Sequence, residues 1–134
     1  MTRQEMTEAP HKVLVVDDEF ASLEVLALLL TGEGFRVVMA SNGEEALLRL
    51  ADEAIDLVIT DYKMPKMDGS ELCLRMMADP RLRSIPVIFS SATYRQDVPR
   101  PSNVVAFYSK PLLFSELLRS VHRILNREVT PPGV

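Results

Sequence analysis

The chain has 134 residues, 47% of them hydrophobic and 25% charged, which is long and apolar enough for one folded domain and too balanced for disorder or low complexity. Nineteen acidic side chains against 15 basic ones leave a formal charge of −4, and no Lys/Arg block offsets it, which argues against a nucleic-acid or anionic-membrane surface. The longest apolar run, residues 25–30, is far short of a membrane span, the first eleven residues lack a signal-peptide core, and the single cysteine, Cys73, permits no internal disulfide. A cytoplasmic, single-domain protein is the expectation.

Residues 1–11 read as a loose tail. Val13-Leu14-Val15-Val16, closed by Asp17-Asp18-Glu19, has the continuous apolar character of a strand buried on both faces. Residues 20–30 carry Leu23, Leu26, Leu29 and Leu30 at helical spacing, and Gly32 and Gly34 are candidate stops. A second strand is expected over 35–40. Ser41-Asn42-Gly43-Glu44 matches a capping box led by Ser41, and Ala46, Leu47, Leu50 and Ala51 would line one face of the helix it starts.

Ile55-Asp56-Leu57-Val58-Ile59-Thr60-Asp61 reads as a third strand, again ending in a carboxylate. Residues 62–69 form a Pro/Gly-containing loop, and a helix follows over about 70–78. Residues 86–90 and 104–108 are the fourth and fifth strands. Ser115 is the expected cap of a last helix with Leu117, Leu118, Val121, Ile124 and Leu125 facing inward. Residues 127–134 read as a second tail. Met64, Met67, Met76 and Met77 are expected as core and loop filling, Cys73 as a small buried residue, and His11 and His122 as solvated.

Alternating buried strands and helices predict a doubly wound, parallel α/β sheet. The site of such a fold lies beyond the carboxyl ends of its strands. Here those ends carry Asp17-Asp18, Asp61, Ser90-Ser91 and Lys110. Clustered carboxylates repel and need a cation, and hard oxygen donors in a shallow site suit Mg²⁺. An acidic cluster beside a lysine and a hydroxyl suits phosphoryl transfer, with a carboxylate as nucleophile.

Four segments, Val13-Leu14-Val15-Val16-Asp17-Asp18-Glu19, Thr60-Asp61-Tyr62-Lys63-Met64-Pro65-Lys66-Met67-Asp68-Gly69, Ser90-Ser91-Ala92 and Ser109-Lys110-Pro111, resemble the receiver domain of bacterial two-component response regulators over residues 12–126. The resemblance implies a flavodoxin-like fold of five parallel strands in the order 2-1-3-4-5. It implies a phosphorelay function in which Asp61 accepts a phosphoryl group from a histidine kinase or histidine phosphotransfer protein. Asp18, Asp61 and the backbone carbonyl of Lys63 would ligate Mg²⁺, and Asp17 would hold metal-bound water. Lys110 would pair with a phosphoryl oxygen, Ser91 would be the switch hydroxyl, and Phe107 stands at the switch-aromatic position. The Lys110–Pro111 bond would be cis. Such a protein is not an enzyme toward a separate substrate, and its output goes to a protein partner that the sequence does not name.

Two departures stand out. Lys63 and Thr93 occupy positions that tune acyl-phosphate lifetime. Pro99 and Pro101 disfavour a regular helix between the fourth and fifth strands, so that helix is expected to be shortened or replaced by a loop. No effector domain is expected after residue 126. Three other readings compete. A phosphorylation-independent adaptor is disfavoured by the complete set Asp17, Asp18, Asp61, Ser91 and Lys110. A phosphohydrolase would need an acid where Lys63 stands. A flavin site would need a phosphate-cradling loop where Asp17-Asp18-Glu19 would repel phosphate.

Overall fold

The computed structural model describes residues 10–92 and 100–126. The strands are β1 (Lys12–Val16), β2 (Arg36–Ala40), β3 (Leu57–Asp61), β4 (Val87–Ser91) and β5 (Val104–Ser109). They form one sheet in the order β2-β1-β3-β4-β5, every neighbouring pair parallel. The four described helices are α1 (Phe20–Gly32), α2 (Gly43–Asp52), α3 (Gly69–Met77) and α4 (Phe114–Leu125). This is a doubly wound, flavodoxin-like sheet in the strand order that the resemblance implies. The segment on which the missing-helix expectation rests, residues 93–99, lies outside the described residues, as do 1–9 and 127–134.

Strand alternation sorts the core into two layers. Val13, Val15, Ile59 and Ile88 pack with Leu23 and Leu30 of α1 and with Leu117, Val121 and Ile124 of α4. Leu14, Val16, Val58 and Phe89 pack on the other face with Ala46 and Leu50 of α2 and with Leu72, Cys73 and Met76 of α3. The continuous apolar reading of β1 and β3 follows from burial on both faces. Met64, Met67 and Met76 fill the second layer, as expected, and burial pushes the Cys73 thiol up to about 12.

Several local expectations need correction. The cap of α2 is Asn42, whose Oδ1 accepts the Glu45 amide at 2.7 Å, and Glu45 reaches back to the Ser41 amide at 2.6 Å. The cap therefore sits one residue later than Ser41, because Gly43 already belongs to the helix, and the return bond to Glu45 comes from the residue before the cap. Nor does Ser115 cap α4: the helix starts at Phe114 with Leu113 at the cap position and no side-chain cap bond. Leu29 and Ala51 are exposed. β3 begins at Leu57, and β4 extends to Ser91 and β5 to Ser109. α1 continues through Gly32, and Gly34, at φ 97°, takes the left-handed turn that ends it. His11 is tied down, since its carbonyl accepts the Arg36 amide at 3.0 Å. His122 is exposed but has Phe35 against its ring at 5.5 Å.

Candidate functional site

Asp17 follows β1 directly, Asp61 ends β3, and Lys110 follows β5. The strands are in register, Val16 opposite Thr60, Asp61 opposite Ser90 and Ser91 opposite Ser109, so the sheet delivers all three to its carboxyl edge. Asp17, Asp18 and Asp61 each offer a carboxylate oxygen within 4.8 Å of the others. The Lys110 ammonium donates to Asp17 Oδ2 at 2.9 Å and to Asp61 Oδ2 at 3.4 Å. Asp17 is used twice, since its Oδ1 also accepts the Glu19 amide at 2.9 Å and so shapes the entry to α1.

The electrostatics follow from this packing. Asp61 is only 9% exposed, and burial pushes its carboxyl above the usual carboxylate range, with Asp17 and Asp18 adding to the push and Lys110 opposing it. A more basic carboxylate is a better nucleophile. Burial also disfavours the charge on Lys110, but its hydrogen bond to Asp17 and the charges of Asp61 and Asp17 outweigh that and lift it above ordinary lysine. Three carboxylates facing one ammonium leave negative charge uncompensated. The donors are all hard oxygens, and Asp18 is exposed, leaving a side open to solvent. This set fits Mg²⁺, which keeps several of its waters.

The loop after β3 is held close to Asp61. The Tyr62 amide donates to the Ser90 carbonyl and the Gly69 amide to the Tyr62 carbonyl, each at 2.7 Å. Asp68 caps α3 through the Glu71 amide at 2.9 Å. A Cβ on Gly69 would lie 3.0 Å from the Asp61 carbonyl oxygen, 3.1 Å from Tyr62 Cα and 3.2 Å from the Phe89 ring. Glycine here lets α3 begin against the end of β3. Lys63 lies in this loop with its side chain exposed.

The remaining sequence candidates lie near the cluster. Ser91 is buried at the end of β4, and its carbonyl accepts the Lys110 amide at 2.7 Å. Strand alternation places Ser90 on the Asp61 face and Ser91 on the face of Phe89. Phe107 is half-buried on β5, edge-on to Phe89 at 6.2 Å. Lys110–Pro111 is cis. Sequence reasoning missed the close approach at Gly69, the tilted ring contact of Tyr62 with Phe89 (5.6 Å) and the Arg100 guanidinium 4.8 Å from the centre of the Phe107 ring. The Asp68-Gly69 pair was a signal for the first, whereas the ring contacts cross strands and left no local trace.

An apolar groove of about 630 Å³ opens beside the cluster, between α1 and α4. Val25, Leu29, Leu112, Phe114 and Leu117 line it, with Asp17, Ser90 and Lys110 at its polar end. Among the described residues no helix is long and apolar enough to cross a membrane.

The strand order, the acidic edge and the lysine opposite it define a class: a doubly wound parallel domain with a carboxylate cluster and a lysine at the carboxyl ends of its strands. A family model described as the response regulator receiver domain matches residues 13–122. The chain belongs to that family of two-component signalling proteins. It is 36% identical over 124 residues to the two-component response regulator ORR11 of Oryza sativa subsp. indica, covering 87% of this chain and 82% of that protein. It is 40% identical over 87 residues to a probable transcriptional regulator, ycf27, of Pyropia yezoensis, covering 65% of this chain but 35% of that relative's length. The solved structure of the response regulator TrrA from Thermotoga maritima, in complex with Mg(2+)-BeF, superposes with a TM-score of 0.77 at 32% identity, over 86% of this chain and 99% of that one.

Proposed function

We propose that this receiver is a phosphorylation-switched module: Asp61 takes a phosphoryl group from a phosphohistidine of a histidine kinase or histidine phosphotransfer protein, and the change alters binding to an output protein. The observation that carries this is the convergence of Asp17, Asp18 and Asp61 within 4.8 Å, with the Lys110 ammonium at 2.9 and 3.4 Å from two of them. A carboxylate oxygen of Asp61 attacks phosphorus, the P–N bond breaks, and the imidazole nitrogen keeps the electron pair and is protonated. Lys110 moves from its carboxylate partners to a phosphoryl oxygen. Asp18, Asp61 and the Lys63 carbonyl would hold Mg²⁺, with Asp17 on its water. The ion supplies charge neutralisation at the transferring group. The protein acts on its own side chain only, including self-dephosphorylation, and works in the cytoplasm.

The kinase docks on the exposed start of α1, Phe20, Ala21 and Glu24, and on Pro111–Leu113, which flank the cluster. Intact-mass measurement of the whole chain after acetyl phosphate and Mg²⁺ should show one added phosphoryl group, absent in Asp61→Asn. Asp18→Ala should lose the rise in melting temperature that Mg²⁺ gives the wild type. Full labelling of Asp61→Asn, or an unchanged Mg²⁺ response in Asp18→Ala, contradicts the assignment.

A further inference from the structure

A row of rings leads away from the acceptor. Tyr62, next to Asp61, meets Phe89 at a tilt with ring centres 5.6 Å apart, and Phe89 meets Phe107 edge-on at 6.2 Å. The row ends at the surface, where the exposed Arg100 guanidinium sits 4.8 Å from the centre of the Phe107 ring. Phe89 is fully buried and paired in register with Phe107, so neither ring can move freely without the other. Tyr62 and Phe89 are also pinned against the start of α3 at Gly69. Phe107 has no hydroxyl, and its ring lies between Phe89 and the Arg100 guanidinium.

We propose that Arg100 is a positioning residue for the switch: its guanidinium holds the Phe107 ring in the arrangement of the unmodified protein, and this hold is released when the acceptor is modified. The proposal rests on Asp61 being the phosphoryl acceptor. A contact made in one state only must oppose the other by its own strength. For an exposed cation–π pair that is about two- to five-fold in an equilibrium. Arg100 couples in this way without touching the reacting atoms, and being exposed it can be replaced without opening the core.

The test is a beryllofluoride titration of the full chain in saturating Mg²⁺, followed at the amides of Gly69 and Ala92. Arg100→Gln should bind about two- to five-fold tighter than wild type. Arg100→Lys, which keeps the cation, should fall between the two. In a Phe107→Leu background, Arg100→Gln should add nothing. In the unligated wild type the Arg100 δ protons should resonate upfield from the ring current, and beryllofluoride should remove that shift. Equal affinities of Arg100→Gln and wild type, or the same gain with Phe107 replaced, would overturn the proposal and leave the acceptor assignment standing. Failure of wild type to bind beryllofluoride would overturn both.

Discussion

The two faces of the sheet are built differently. On one, α2 and α3 close over Leu14, Val58 and Phe89 with methionines and aromatic rings filling the space. On the other, α1 and α4 leave a groove, and α1 turns Val25, Leu28 and Leu29 outward beside Phe20. Asp61 and Ser90 belong to the grooved face, while Ser91, Phe89 and Phe107 belong to the closed one. The open face is suited to admitting a donor, because apolar surface left uncovered marks an interaction site. The closed face is suited to transmission, because tightly packed rings shift together.

The sharpest contrast comes from truncation. Phe89→Ala on the closed face should cost about 3–5 kcal/mol of stability, a large part of a domain's total. Leu28→Ala on the open face should stay within about 0.5 kcal/mol. Urea unfolding of both checks this, and equal losses would erase the distinction. Next in size is Gly69→Ala. Its Cβ would press on the Asp61 carbonyl and Phe89, and an overpacked contact of this kind costs about 1–3 kcal/mol. Gly43→Ala would press on the Met67 side chain from Cβ to Sδ at 2.7–3.0 Å, so that side chain must shift, and a similar cost is expected.

Asp61→Asn gives a smaller effect with a defined pH dependence. Burial raises the Asp61 carboxyl in the folded protein, so folding favours its neutral form. That contribution is complete below the ordinary carboxylate range and is lost as pH rises through the raised folded value. Without metal, Asp61→Asn should therefore melt higher than wild type at pH 7, and the gap should shrink toward acid. Melting curves at pH 4 and pH 7 in a chelator check the sign; a wider gap in acid contradicts it.

Much of this architecture was legible in the sequence, for a physical reason. Strands buried on both faces must be continuously apolar, so Val13–Val16 and residues 57–60 announce themselves, and the carboxylates that end them mark the edge. The edge constellation of Asp17, Asp18, Asp61 and Lys110 was readable because parallel strands deliver their ends to one side. Cap residues were not, because Asn42 or Ser41 caps according to where the chain turns, and several polar residues there would serve. The outward face of α1 was also hidden: a helix apolar nearly all round gives no stripe from which to choose. Contacts such as Tyr62–Phe89 depend on register between strands and on nothing local.

The central claim is that Asp61, held between two carboxylates and a lysine, is where the phosphoryl group lands. Borohydride reduces an acyl phosphate to the alcohol, which turns a modified aspartate into homoserine. After incubation of the whole chain with acetyl phosphate and Mg²⁺, reductive trapping and peptide sequencing should place homoserine at position 61 and nowhere else, with none when Mg²⁺ is chelated. Homoserine at position 17 or 18, or none under full labelling conditions, would contradict the account.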